Sequence, residues 1–214
     1  MVSIAKKYFC ENGNSAFTRE FCAELAKCYP TLHVIEDNGK FFIRGSLPIE
    51  YQGQELDRFI VEIDLQPLSQ GNLPIVREIG GRIPWIPDRH INQEDGSACI
   101  CIPEDYFRRH PGTFQLMDFI KNSVHGFFIG QALVEQGDPW PHGEWKHREE
   151  GREQWIGEFV ESLSPEQKKA YSGVLALKEL KGHIMCPCLS GRRVRDCHYI
   201  FLQRLRARSS KKNT

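Results

Sequence analysis

The sequence has no apolar run approaching the ~20 residues that a membrane-spanning helix requires. Its first residues, Met1-Val2-Ser3-Ile4-Ala5-Lys6-Lys7, lack the apolar stretch of a secretory signal, so a soluble, cytoplasmic protein is expected. There is also no charge of one sign in excess. Lys and Arg together number 28, as do Asp and Glu, so the whole-chain charge points to neither an acidic nor a basic partner. No internal repeat or low-complexity segment is present, which sets aside solenoids and flexible linkers. A glycine-rich nucleotide loop of the Rossmann or P-loop type is absent as well, and with it any nucleotide-activating site of those kinds.

What is there can fill one ordinary core. A chain of 214 residues with 40% hydrophobic content supports one main domain, with room for a small appendage. In a reducing compartment its eight cysteines read as metal ligands, nucleophiles or core residues rather than disulfides. Phe17, Phe21, Cys22, Leu25 and Ala26 recur at helical spacing, predicting a first helix over 15–27 behind an Asn14 or Ser15 cap, which Tyr29-Pro30 ends. Strand-like runs follow at 32–36, 40–47 and 58–65, with Asn38-Gly39 as a turn, and 74–79 offers a fourth. This order predicts an antiparallel meander. Breakers fill 80–87, and dense apolar residues over 113–133 predict a buried helix. A further helix is expected over 154–163, and Ser164-Pro165-Glu166 starts another that runs to 181.

Cys186-Pro187-Cys188, eight residues, then Cys197-His198 places four soft or borderline ligands within a short span, enough for one tetrahedral Cys₃His site. Pro187, Ser190 and Gly191 allow the chain to double back. With every position filled by protein, the expected ion is structural Zn²⁺. The motif resembles the zinc-binding tail of the bacterial translocation ATPase SecA, with Leu189 where a glycine follows the second cysteine there. The tail is locally basic, through Arg192, Arg193, Arg195, Arg204, Arg206, Arg208, Lys211 and Lys212. A solvated tail explains this run, and contact with nucleic acid is the other reading.

The second constellation is Arg89-His90-Ile91-Asn92-Gln93-Glu94-Asp95-Gly96-Ser97-Ala98-Cys99-Ile100-Cys101-Ile102-Pro103. Asp95-Gly96 reads as a turn. Alternation over 98–102 puts Cys99 and Cys101 on one exposed face and Ala98, Ile100 and Ile102 on the other. The pair could be nucleophilic, inert, or half of a metal site completed by His90 or His110.

Here the chain resembles the ubiquitin-conjugating (UBC) enzyme family. His90-Ile91-Asn92 resembles the family's His-Pro-Asn element, with Ile91 in place of proline, and Gly96-Ser97-Ala98-Cys99-Ile100 its nucleophile element. The resemblance is greatest to divergent bacterial relatives encoded beside nucleotide-cyclase antiphage systems (CBASS), where the Gly143-Glu144-Trp145-x-His147-x-x-x-Gly151 stretch also looks familiar. It implies an α+β, UBC-like fold with an N-terminal helix, a four-strand antiparallel meander and C-terminal helices, plus a small zinc knuckle. The implied division is a catalytic domain over 1–163, a linking helix over 164–185, and the knuckle and basic tail over 186–214. It further implies a thioester carrier at Cys99 or Cys101, Asn92 as oxyanion donor, and His90 orienting the loop or tuning the thiol; His142 and His147, in the aromatic segment, either approach the site or pack beside tryptophan in a turn. The implied cargo is the C-terminus of a cGAS-like nucleotidyltransferase. A noncatalytic UBC-like binding module is the alternative.

Overall fold

Asn38 and Gly39 take φ values of +50° and +74°, the left-handed pair that a tight hairpin between right-twisted strands demands. Gln52 and Gly53, at +53° and +79°, do the same one strand later. These turns join β1 (Leu32–Asp37), β2 (Lys40–Tyr51) and β3 (Gln54–Asp64), and β4 (Ile75–Glu78) completes an antiparallel sheet in the order β1-β2-β3-β4. The sheet belongs to a computed structural model that describes residues 19–141 and 148–211, apart from the side chains of 148 and 209–211. The predicted meander is present, but β2 and β3 run past their expected ends to the Gln52-Gly53 turn, through Pro48 and a register shift at Ile49/Glu50. Gly45 cannot be replaced without moving the chain. At φ +147°, a Cβ there would lie 1.9 Å from the Thr31 carbonyl oxygen.

The described chain divides into two compact units: Met1–Ile100 with Gln115–Glu144, and Cys101–Phe114 with Trp145–Thr214. In the first, α1 (Arg19–Cys28) buries Phe21 and Leu25. The predicted start of this helix, with Asn14, Ser15 and Phe17, lies outside the described residues. Ile43, Leu47, Ile49, Phe59, Val61 and Ile63 line the buried face of the sheet. The apolar run expected over 113–133 forms a continuous helical stretch, α3 (Leu116–Asp118), a π-helical segment (Phe119–Val124) and α4 (His125–Glu135). Its Phe128 packs on Phe59 with ring centroids 4.9 Å apart. Burial of Leu116, Phe119, Ile120, Val124, Phe127 and Phe128 accounts for so apolar a helix.

The second unit holds α2 (Pro103–Arg109), α5 (Arg148–Ser162), α6 (Pro165–Leu175) and α7 (Tyr199–Lys211). Ser164 and Gln167 form a reciprocal capping box, each side chain accepting the other's backbone N–H at 3.1 Å, with Pro165 in the first turn. This start matches the expectation, but the helix stops at Leu175 instead of reaching 181. Beyond it the backbone has other partners: the Lys178 carbonyl accepts from Arg206, and the Gly182 and Ile184 carbonyls accept from the Arg195 and Val194 amides. Helix α7 replaces the expected solvated tail. Phe201 and Leu202 are fully buried, while Arg204 pairs with Glu104 and Arg208 with Glu149. Hence part of the basic run is spent inside the unit. No helix among the described residues is long and apolar enough to cross a membrane.

Candidate functional site

In the first unit the loop after β4 is built by hydrogen bonds that its sequence partly advertises. Ala98 N donates to the Val76 carbonyl at 2.8 Å, which ties the loop to β4, and Ile91 and Ala98 form an isolated antiparallel bridge. Asn92 N donates to Ser97 O at 2.8 Å, and Gly96 N to Asn92 O at 2.9 Å. Asp95 is the centre of the turn. Its Oδ1 accepts from Ser97 N, Ser97 Oγ and Asn92 Nδ2 at 3.1, 2.7 and 2.9 Å, and Arg77 lies 3.7 Å from Oδ2. Burial works to raise the Asp95 carboxyl, but the Ser97 donors, Arg77 and Asn92 outweigh it and hold the group below its ordinary value. Gly96, at φ +67°, packs under Trp85, where a Cβ would come within 2.4 Å of the indole. The Asp95-Gly96 turn is therefore present, and Asn92 has a positioning role within it.

His90 ends the 3₁₀ turn Pro87–Arg89 at φ +52°. Its carbonyl accepts the Cys99 N–H at 2.8 Å, and its ring lies 4.3 Å from that of Trp140 at a tilt of 33°. Trp140 in turn meets Phe127 edge-on and covers Gly130, where a Cβ would lie 2.6 Å from its ring. Below the turn, the fully buried amide of Gln131 accepts from Arg89 Nε at 2.8 Å and donates to Arg89 O at 2.6 Å. Arg89 also reaches Glu135 at 3.1 Å, and Glu135 is shared with Arg82, which pairs with Asp57. This network holds the backbone that positions Cys99. Neither Gln131 nor Trp140 was marked by sequence motif. A lone amide inside an apolar helical run was the available signal for Gln131.

The expected alternation over 98–102 fails. Ile102 is the N-cap of α2 and Pro103 its first residue, so the segment is a loop entering a helix and a two-residue period does not apply. The thiols consequently differ. Cys99 is exposed, and Cys101 is half-buried, with burial pushing its thiol up to about 12. The two residues fall on either side of the division between units. His110 stacks on Tyr106 at 4.5 Å. Among the described residues neither thiol belongs to a metal-ligand cluster. His142, Gly143, Glu144, Trp145 and His147 lie outside the described residues.

In the second unit Cys186, Cys188, Cys197 and His198 converge, with one potential ligand atom from each and all four within 4.8 Å of one another. Cys186 Sγ lies 3.4 Å and Cys197 Sγ 3.2 Å from His198 Nδ1, and Cys188 Sγ lies 3.6 Å from Cys197 Sγ. The cluster could hold a metal ion. Backbone bonds make the fold-back: Cys186 N donates to Arg192 O at 2.9 Å, and Leu189 N to Cys186 O at 3.1 Å. Leu189 takes φ +64°, so a leucine occupies the left-handed turn that a glycine would hold without strain.

His198 Nε2 lies 2.9 Å from the Arg108 carbonyl. A carbonyl only accepts, so Nε2 carries the proton and Nδ1 turns its lone pair to the three thiols. Burial also keeps the imidazole pKa below its ordinary value, favouring the neutral ring that ligation needs. Among the thiols, burial pushes Cys186 up to about 12. Burial opposes ionisation of Cys188 too, but Ser190 and the neighbouring thiols outweigh it and the net shift is downward. Four protein ligands leave no open position for substrate.

Close by in the same unit, Glu104 is 1% exposed. It accepts from Arg152 Nε at 3.2 Å and Nη2, and Arg204 Nε approaches it to 3.7 Å. This buried ion cluster anchors α2, and no local sequence pattern announces it.

No protein-family model matches the chain, and neither a curated protein nor a solved structure is significantly similar to it.

Proposed function

We propose that the chain is a UBC-like cysteine acyltransferase in which Cys99 carries a partner's C-terminus as a thioester, and that its tail cluster holds one structural Zn²⁺. The observation that carries the first part is the contrast between the thiols. Cys99 is exposed on a loop fixed through His90 and β4, while the Cys101 thiol is held protonated by burial. A thiolate is the attacking species, so Cys99 is the better carrier. A helix, a four-strand antiparallel meander in sequential order and a following buried helix support a UBC-like arrangement.

In the reaction, the Cys99 thiolate attacks the activated C-terminal carbonyl of the cargo, forming a C–S bond as the activating group departs with its electron pair. An acceptor nucleophile later displaces the thiolate. Activation of the carboxylate is supplied elsewhere, since the chain has no glycine-rich nucleotide loop. Asn92 shapes the turn through Asp95, and an amide donor at a developing oxyanion is worth about 3 kcal/mol in other enzymes. The cargo we propose is the C-terminus of a cGAS-like nucleotidyltransferase, in bacterial antiphage signalling. This follows from the sequence resemblance alone.

For the ion, Zn–S near 2.3 Å and Zn–N near 2.0–2.1 Å give tetrahedral edges of about 3.8 Å between sulfurs and about 3.6 Å between sulfur and nitrogen. The 3.6 Å sulfur–sulfur and 3.2–3.4 Å sulfur–nitrogen separations are close to those edges. The ion would hold Cys186, Cys188, Cys197 and His198 together and take no part in acyl transfer.

The test is a site-resolved alkylation profile with iodoacetamide from pH 5 to 9 on the metal-loaded protein. Cys99 should label ahead of Cys101 throughout. Protection of both residues across that range would favour the noncatalytic binding module instead.

A further inference from the structure

Arg44, Glu62 and Arg77 stand opposite one another on β2, β3 and β4, and Ser97 continues the row through its bridge with Arg77. Ion pairs run along it: Arg44 to Glu62 at 2.7 Å, Glu62 to Arg77 at 3.4 Å, and Arg77 to Asp95 Oδ2 at 3.7 Å. Arg77 Nε also donates to the Asp95 carbonyl at 3.0 Å. We propose that the row ends in a positioning residue for acyl transfer: Asp95 holds the Asn92 carboxamide so that its N–H end, not its carbonyl, serves the oxyanion formed at Cys99. The proposal rests on the reading of Cys99 as the acyl carrier.

The Asn92 side chain is gripped at both ends. Its Oδ1 accepts from Glu94 N at 3.3 Å, and its Nδ2 donates to Asp95 Oδ1 at 2.9 Å. An ionised carboxylate only accepts, so it selects the amide end; a reversed carboxamide would set an oxygen against an anion. Ser97 N and Oγ donate to the same Oδ1, at 3.1 and 2.7 Å, which fixes the acceptor in turn.

On either side of the Ile91–Ala98 bridge the side chains alternate, so Asn92, Ser97 and Cys99 share the face turned away from buried Ile91. Asn92 pairs with Ser97, which makes Cys99 its diagonal neighbour, a relation that spans about 7–8 Å in antiparallel pairs. The carboxamide enters that gap from one end and an acyl group on the thiol from the other. The Cys99 N–H is already directed to His90 O at 2.8 Å and the Ile100 N–H to Ala98 O at 2.9 Å, which leaves stabilisation of the oxyanion to a side chain.

Two reactions of the same thiol separate this role from a merely structural one. In acyl transfer the thiolate adds to a carbonyl carbon, the π electrons move to oxygen as the C–S bond forms, and collapse expels the leaving group with its electron pair. Alkylation by iodoacetamide displaces iodide from a saturated carbon and forms no oxyanion. An amide aimed at the oxyanion therefore assists the first reaction and not the second.

The experiment treats the intact, metal-loaded protein with the phenyl thioester of N-acetylglycine, which releases thiophenolate, and separately with iodoacetamide. Rates at Cys99 are scored by peptide mass spectrometry, with exposed Cys28 as internal control. Asn92→Ala should slow acylation of Cys99 about 100-fold and Asp95→Asn about tenfold, with alkylation changed less than about twofold in both. The double variant should lose no more than Asn92→Ala alone, because both residues act through one amide. Glu62→Gln loosens Arg77 from a distance and should give a smaller loss of the same kind, which decides the matter if Asp95→Asn fails to fold by circular dichroism. Acylation and alkylation slowed together, full additivity in the double variant, or unchanged acylation in Asp95→Asn and Glu62→Gln would each overturn the proposal. Natural protein acylated at Cys28 but not at Cys99 would overturn the reading of Cys99 as carrier, and the proposal with it.

Discussion

Replacing Glu104 by Gln keeps the volume of a fully buried side chain but removes the charge that two arginines face. Arg204 Nε stands 3.7 Å from Glu104 Oε1. At an effective dielectric of about 20, one such pair is worth roughly 4–5 kcal/mol before desolvation is subtracted. Breaking a buried pair costs about 3–5 kcal/mol, because the partner charge is left behind. Side-chain exposures of 30% for Arg152 and 18% for Arg204 let water relieve part of that, so the low end, about 3 kcal/mol, is expected. In a chain of this size that lowers Tm by about 6–12 °C. Burial works against the Glu104 carboxylate, yet its bonds with Arg152 and the charge of Arg204 leave its pKa below the ordinary value. A depressed carboxylate pKa stabilises the fold fully above the unfolded value of about 4.3 and loses that contribution as pH falls through the folded value. The gap between the natural protein and Glu104→Gln should thus be constant from pH 7 to about pH 5 and narrow in more acid solution. Thermal melts of metal-loaded protein across this range measure it. Melts that coincide at pH 7, or a gap that persists undiminished at pH 3, would refute the electrostatic account. Changing Arg204 to Met in the Glu104→Gln background should recover part of the loss, by removing the stranded charge.

Freshly purified protein should contain about one zinc per chain by elemental analysis, and Cys188→Ser should lose it together with several kcal/mol of stability in the second unit. Leu189→Gly should stabilise the protein by about 0.5–1 kcal/mol, read in a urea melt. Relief of the left-handed leucine gains about 1–2 kcal/mol, and the extra freedom of unfolded glycine returns about half of it. Gly96→Ala should disorder the Trp85 contact, seen as a red-shifted tryptophan emission with metal content unchanged.

Local chemistry made some of the molecule legible in advance. Asn38-Gly39 and Ser164-Pro165 announce a turn and a cap whose partners are only residues away, and Cys186, Cys188, Cys197 and His198 announce a cluster through spacing. Elements governed by distant partners were not legible. Residues 176–181 look helical until Arg206 claims the Lys178 carbonyl and the Val194 and Arg195 amides claim the carbonyls just beyond. The arginines of α7 look like a solvated run because Glu104 and Glu149 lie far away in sequence. The two thiols of the central loop looked equivalent because a strand was assumed, whereas Pro103 begins a helix immediately after them and buries one.

The central claim is that Cys99, not Cys101, carries the cargo. Intact-mass analysis of protein coexpressed with its nucleotidyltransferase partner and the activating machinery tests this directly, with adducts scored for cleavage by hydroxylamine. A hydroxylamine-labile adduct is expected in the natural protein and in Cys101→Ser, and none in Cys99→Ala. Retention of the adduct in Cys99→Ala, or its loss in Cys101→Ser alone, would contradict the account.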